Sequence, residues 1–133
     1  MKAGGAKAKG NAAESVVMRA LREFFPDSHR SIGSGNSWHV DDQGDVVAGS
    51  YLVEVKHHAS FSRPELQRYW LKVIKEAEGA KKFPLLVYKE NRKDARVRFF
   101  ANMTLSLDDR AVEMYFDDFC DAIREGVELR GKN

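Results

Sequence analysis

The sequence predicts an α/β domain: a mixed central β-sheet of about five strands flanked by helices, in the order α-β-β-β-α-β-β-α. Two short apolar runs within residues 44–56 are separated by Gly49-Ser50, which is typical of a β-hairpin with a two-residue turn. A capped helix follows from Ser62. The nearly all-apolar run 83–89 comes next, as expected for a strand buried on both faces. A strand, a helix and a strand in this order form a right-handed parallel crossover.

Size and composition indicate one soluble domain. The chain has 133 residues, of which 43% are hydrophobic and 32% charged, ordinary values for a globular protein. No apolar run approaches the roughly 18 residues of a membrane span, and the N-terminus lacks the apolar centre of a secretory signal. The single cysteine, Cys120, agrees with a reducing, cytoplasmic setting. We expect a flexible basic arm at residues 1–9 and one domain over residues 10–133. The arm could contact a phosphate backbone, with Lys9 as its candidate DNA-binding residue.

Charge is unevenly distributed along the chain. Residues 56–98 carry 12 basic and 5 acidic side chains, a net charge of +7, whereas residues 1–55 carry −1 and residues 99–133 carry −4. The basic middle segment indicates a face that binds a polyanion. A solvated, lysine-rich helix would produce the same pattern, so charge alone leaves both interpretations open.

The first helix is predicted from an N-cap at Asn11 to about Phe25. Glu14 lies in its first turn, at the edge of an apolar stripe with helical spacing. Such a carboxylate either favours the helix dipole or is a ligand that reaches into a site. Residues 29–35 then form a basic loop rich in serine and glycine, in which Arg30 and backbone amides could contact phosphate. A short strand at residues 37–40 follows.

The hairpin predicts a metal site. Counting outward from Gly49-Ser50 places Val46 opposite Val53 and Asp45 opposite Glu54, with the Cβ atoms of each pair roughly 4.5–5.5 Å apart. Lys56 lies two residues beyond Glu54 and so points to the same face. Like charges opposite one another destabilise a sheet, and a bound divalent cation is the simplest compensation.

That cation is predicted to be Mg²⁺ rather than zinc. Carboxylate oxygens are the ligands that Mg²⁺ prefers, and Mn²⁺ can substitute. The adjacent His57 and His58 suggest zinc, but alternation points them to opposite faces, and no cysteine or histidine lies at zinc-ligand spacing from them.

The second half of the chain supplies the basic helix and the remaining strands. The helix starts at Ser62, with Pro64 and Glu65 in its first turn, and stops at Gly79. Residues 96–103 return as a strand, and a last helix runs from Ser106 or Asp108 to about residue 126. The basic helix also carries four candidate DNA-binding residues, namely Arg63, Gln67, Arg68 and Lys72.

Two carboxylates on adjacent strands, a lysine beside them and a third acid from the first helix suit metal-assisted phosphodiester hydrolysis. At these residues the chain resembles the PD-(D/E)XK nuclease superfamily, whose pattern here is Asp45, eight residues, and Glu54-Val55-Lys56. Gly44 stands where the family has proline. The resemblance implies a restriction-endonuclease-like fold.

More narrowly, residues 9–102 resemble the archaeal-type Holliday junction resolvases and their phage and bacterial relatives. That resemblance implies that Glu14, Asp45 and Glu54 bind Mg²⁺ or Mn²⁺ and that Lys56 is the catalytic lysine. Ser34 would act in the active-site loop, and Arg30 and Gln67 would support the site or contact DNA. The family also implies a homodimer that cuts opposing strands of a four-way junction.

Besides a small structural or interaction protein whose Asp45–Glu54 pair arises by chance on the surface, two alternatives stay open. One is another PD-(D/E)XK nuclease, of repair or restriction type, that acts on duplex DNA, flaps or DNA ends. The other is a non-catalytic nucleic-acid-binding module on the same fold, which would bind DNA in a salt-dependent way without cutting it.

Overall fold

The computed structural model describes residues 3–30, 46–100 and 110–125, with the side chains of the first helix described from Ala12 onward. These residues form α1 (Ala3–Arg22), β1 (His29–Arg30), β2 (Val46–Ala48), β3 (Tyr51–His58), α2 (Arg63–Ala80), β4 (Phe83–Glu90), β5 (Arg96–Phe100), β6 (Ala111–Tyr115) and α3 (Phe116–Arg124). The strands make one sheet in the order β1-β2-β3-β4-β5-β6. Only β3 and β4 among these neighbours are parallel. The predicted α/β class with a mixed sheet is confirmed.

The hairpin has the predicted register. Val46 lies opposite Val53, and Ala48 lies opposite Tyr51. Gly49, the first turn residue, has a φ of +59°, a conformation that L side chains rarely adopt. A Cβ atom added there would also lie 2.7 Å from Cδ1 of Phe25. Both the turn and the approach of the phenyl ring therefore require glycine at this position.

The crossover helix α2 is fixed at both ends. The Ser62 hydroxyl accepts a hydrogen bond from the backbone N–H of Glu65, while the Glu65 carboxylate accepts one from the backbone N–H of Ser62, which completes a capping box. At the other end Lys81 takes the left-handed conformation and its N–H bonds back to the last turn. The helix connects β3 to β4 as the parallel crossover predicted from the sequence.

The two faces of the sheet pack against different helices because successive side chains of a strand alternate. The α1 face packs against α1 and α3 and holds the larger core, which on β2–β5 comprises Val46, Ala48, Tyr51, Val53, Val55, Leu85, Val87, Val97 and Phe99. The α2 face packs Trp70 and Val73 on Leu86 and Tyr88. It also carries Glu54 and Lys56, which alternate with the valines of β3.

Three boundaries differ from those predicted. Helix α1 begins at Ala3 and ends at Arg22, so residues 3–9, expected as an arm, fall within its bounds. Alanine and lysine favour the helical conformation. Adding residues to an existing helix also avoids the cost of forming a first turn, so α1 extends into this segment. The two residues of β1 lie where a loop was predicted. The predicted strand at residues 37–40 lies outside the described residues.

The last predicted helix is wrong in its first part. Residues 111–115 form strand β6, and α3 begins only at Phe116. Val112 and Met114 pack on the core while Ala111 and Tyr115 are exposed, the alternation of a strand. Within the part of the chain that the structure describes, the sheet therefore has six strands, where about five were predicted.

Candidate active site

A buried carboxylate and a lysine meet near the end of β3. Glu54 is only 1% exposed, and its Oε2 atom lies 3.0 Å from Nζ of Lys56. The two residues are separated by one position, so both side chains point to the α2 face, as the spacing predicts. A buried charge requires a partner of opposite sign. Lys56 supplies one such partner to Glu54.

A second lysine reaches the same carboxylate from α2. Nζ of Lys72 lies 3.3 Å and 3.4 Å from the two carboxylate oxygens of Glu54 and 3.3 Å from Oε2 of Glu76. Burial lowers the pKa of Lys72, but the two carboxylates outweigh it, and the net shift is upward. The side chains thus form a continuous chain of alternating charge, Lys56–Glu54–Lys72–Glu76.

The contact of Lys72 with Glu54 was missed by sequence reasoning, which assigned this lysine to DNA binding. The two residues are 18 positions apart, and their approach depends on how α2 crosses the sheet. Lys72 lies away from the apolar face of the helix, so the sequence offers no local signal for this contact.

The ammonium group of Lys56 lies against an aromatic ring. It lies 4.9 Å from the centre of the Tyr69 ring, and Arg68 contacts the same ring at 5.1 Å. His58 stacks on Phe61 at 4.4 Å and meets Tyr69 edge-on. Lys56 is therefore held between the Glu54 carboxylate and a π face, which limits the directions its ammonium group can take.

Glu14 belongs to a different group of residues. Its Oε1 atom forms an ion pair with Arg30 at 2.5 Å. Arg30 pairs with Val46 at the β1 edge, and α1 packs on the face opposite to Glu54. The structure thus joins two predicted site residues, Glu14 and Arg30, in a contact that sequence reasoning did not predict.

The remaining predicted site residues are not all placed by the structure. Asp45 and Ser34 lie outside the described residues, and Lys9 lies in α1 without a described side chain. Within residues 3–30, 46–100 and 110–125, no three His, Cys, Asp or Glu side chains are grouped to hold a metal ion. Of the three expected ligands, Glu54 is the one described on the α2 face, and its hard oxygen donors suit Mg²⁺.

The histidines at the end of β3 have other contacts. Nε2 of His57 lies 3.1 Å from Oδ1 of Asn91, and Nδ1 of His58 lies 3.8 Å from Oε2 of Glu65. Their contacts are on opposite sides of the strand, as alternation predicts.

Beside this site an open groove of about 710 Å³ lies between the start of α2 and strands β4–β6. Arg63 and Gln67 line it from α2, and Arg96 and Arg98 line it from β5. Both Nε and Nη2 of Arg98 lie 2.6 Å from Oε2 of Glu113. Sequence reasoning missed the two β5 arginines, although the alternation Arg96-Val97-Arg98-Phe99 would have placed them on one face.

Tyr88 connects this groove to the active site. Its hydroxyl donates a 2.8 Å hydrogen bond to Oε1 of Glu113. Burial and this carboxylate raise the pKa of Tyr88 to about 12, so the hydroxyl stays protonated at neutral pH.

Comparison with known proteins gives one family and one solved structure. The family model described as "Phage putative PDDEXK endonuclease" matches residues 5–126. The structure of Hjc, a Holliday junction resolvase from the archaeal hyperthermophile Archaeoglobus fulgidus, is 19% identical, with a TM-score of 0.45, and the match covers 90% of this chain and 94% of that one. No curated protein gives a significant match. Among the described residues, no helix is long and apolar enough to span a bilayer.

Proposed function

The chain belongs to the PDDEXK family of phage endonucleases, and from that premise we propose that it is a metal-dependent, structure-selective DNA endonuclease. The most specific form of the proposal is a Holliday junction resolvase that cleaves four-way junctions by phosphodiester hydrolysis.

The observation that carries this proposal is the contact of buried Glu54 with Lys56 at 3.0 Å. Lys56 and Lys72 compensate the charge of this buried carboxylate, and its oxygen atoms are donors of the kind that Mg²⁺ prefers. In the proposal Glu54 holds the ion together with Asp45, whereas Glu14 remains paired with Arg30. The bound ion would polarise a phosphoryl oxygen and lower the pKa of its water. Lys56 would orient that water as an ammonium donor, would deprotonate it only after losing its own proton, or would offset charge in the transition state.

The resolvase assignment is supported by sequence. The resemblance of residues 9–102 to archaeal-type resolvases includes Lys9, Ser34 and Gln67 beyond the superfamily pattern. The segment 56–98, with its net charge of +7, suits a polyanion such as DNA. The proposal includes a homodimer, which would place two active sites on opposing strands of the junction.

The test is a panel of labelled DNAs incubated with Mg²⁺, Mn²⁺ or EDTA. We expect paired cuts near the branch of a four-way junction with either metal, weak cutting of linear duplex and flaps, and no cutting in EDTA. Glu54→Gln should abolish cleavage of the junction with either metal. Cutting of flaps or free ends in preference to the junction would instead indicate a repair- or restriction-type nuclease of the same family.

A non-catalytic DNA-binding module is the second candidate. The ion pairs Glu54–Lys56, Glu54–Lys72 and Glu14–Arg30 favour it, because each compensates an expected ligand with protein cations. Junction binding that falls with salt, with no cleavage under any metal, would establish this alternative.

A further inference from the structure

One row of side chains crosses the sheet from the candidate active site to the far edge. In the register of the strands Lys56 lies opposite Tyr88, Tyr88 opposite Arg96, and Arg96 opposite Tyr115. Residues that lie opposite one another in neighbouring strands point to the same face of the sheet. The row therefore runs along the α2 face, perpendicular to the strands.

The row passes through the groove beside the start of α2, which Tyr88 and Arg96 line, and ends next to it at Tyr115. Neighbouring strands are about 4.8 Å apart, so the Arg96 backbone lies roughly 10 Å from that of Lys56. That distance corresponds to about three nucleotides of a stacked strand at ~3.4 Å each. The groove is open and is also lined by Arg63 and Gln67.

The charge of the groove is positive. Its lining contains three arginines and a single carboxylate, Glu113, which is held by Arg98. Arg96 is exposed and lies 5.4 Å from the Tyr115 ring. Tyr115 is itself 46% exposed, and an exposed ring on a cationic surface is a platform on which a base can stack.

We propose that this groove holds the DNA strand next to the cleaved bond, with Arg63 and Arg96 contacting backbone phosphates and Tyr115 stacking on a base. The inference rests on the proposed function for the position of the cleaved phosphate at Lys56. It adds residues of β5 and β6, outside the sequence motifs, to the substrate site. Arg98, paired with Glu113, holds the groove wall in place.

The test measures binding of a labelled single strand and a labelled four-way junction by fluorescence anisotropy, in EDTA and at several salt concentrations. Arg96→Gln should weaken binding of both DNAs and lower the slope of log affinity against log salt by about 0.7–0.9 for the lost phosphate contact. Arg96→Lys should keep the slope. The matched control is Arg19→Gln, which removes an equal exposed charge from α1 and should leave the slope unchanged.

Arg63→Gln provides a second variant, since Arg63 is exposed at the start of α2 and its loss leaves the core intact. The double variant should lower the slope of log affinity against log salt by about twice as much as either single variant. Tyr115→Ala should weaken single-strand binding without changing the slope.

The outcomes separate this inference from the proposed function. If the parent cleaves junctions but Arg96→Gln and Arg63→Gln bind like Arg19→Gln, the inference is overturned and the function stands. If the parent does not cleave but both groove variants lose affinity and slope, the proposed function is overturned, and the groove stands as a DNA-binding site without a cleaved bond beside it. An altered oligomeric state in the groove variants, with DNA binding unchanged, would instead make the groove a contact between copies and overturn the inference.

Discussion

The two faces of the sheet are built from the same strands but serve different purposes. In β3, Val53 and Val55 point to α1 and join the larger core, whereas Glu54 and Lys56, one residue along, point to α2. In β5, Val97 and Phe99 alternate with Arg96 and Arg98 in the same way. Because the strand period is two, a chain can change the chemistry of one face without changing the packing of the other. The comparison predicts that stability depends on the α1 face and activity on the α2 face.

The α2 face carries charge at a cost. Glu54 is fully buried, and ionic groups in that position are stabilised only by close partners. The α1 face carries apolar side chains whose burial is the dominant favourable term in folding. Substitutions that change either the charged groups of the α2 face or the apolar groups of the α1 face test this comparison directly.

The largest effect is expected for Glu54→Gln. Removing the charge takes away the group that would hold the ion and set the position of Lys56, so we expect cleavage to fall by about a thousandfold, the scale of losing a transition-state charge partner. Stability should change by about 1 kcal/mol or less, because Lys56 and Lys72 are partly exposed and can turn to water. Single-turnover cleavage and urea unfolding of the same preparation measure both effects.

The opposite result would break the comparison. If Glu54→Gln unfolded the protein while the remaining folded fraction still cut DNA, Glu54 would be a structural residue, and the α2 face would not be the site of chemistry.

The second prediction compares neighbouring phenylalanines of β5 that lie on opposite faces. Phe99 is 1% exposed, with its ring 5.3 Å from Phe119, so Phe99→Ala should destabilise the fold by about 3–5 kcal/mol. Phe100 is half-buried against Trp70 at 5.2 Å, and Phe100→Ala should cost about 1–2 kcal/mol. Urea unfolding of both variants measures the two losses. Equal losses of unfolding free energy would show that both faces contribute equally to stability.

The third prediction separates the two lysines on Glu54. Lys72→Gln should lower the cleavage rate about tenfold, because it removes one of the two lysines that pair with Glu54 but leaves Lys56 in place. Losing a group that orients a metal ligand has an effect of this size. Lys56→Gln should lower the cleavage rate by a further factor of at least about ten. Lys75→Gln, an exposed lysine of the same helix, is the control and should cut like the parent. A larger loss for Lys72→Gln than for Lys56→Gln would make Lys72 the catalytic lysine.

Local signals were sufficient to predict much of the fold. The Gly49-Ser50 turn fixes the hairpin register, since only two residues connect the strands. Ser62, Pro64 and Glu65 fix the start of α2. Strand β6 was missed because Val112, Tyr115 and Phe119 also match helical spacing, and its five residues become a strand only by pairing with β5. That pairing is a long-range effect that no local pattern contains.

The candidate site was predictable only in part for the same reason. The one-residue separation of Glu54 and Lys56 gives their shared face directly. The approach of Lys72 to Glu54 and the row from Lys56 to Arg96 depend on helix crossing and on strand order, which arise from packing of the whole domain. The ion pair of Glu14 with Arg30 likewise joins a helix to a sheet edge 16 positions along the chain.

The smallest effect is expected at the cap of α2, the helix that covers only the α2 face. Ser62→Ala removes the hydroxyl that accepts the Glu65 N–H at 3.2 Å, so we expect a loss of about 1 kcal/mol in unfolding free energy. Ser60→Ala, an exposed serine two residues earlier, is the control and should be neutral. Hydrogen exchange should show faster opening of α2 with α1 unchanged, because local stability is lost in the unit that the cap holds. An equal increase of the hydrogen-exchange rates in α1 would show that the two helices open together. The two faces of the sheet would then differ in their chemistry but not in their local stability.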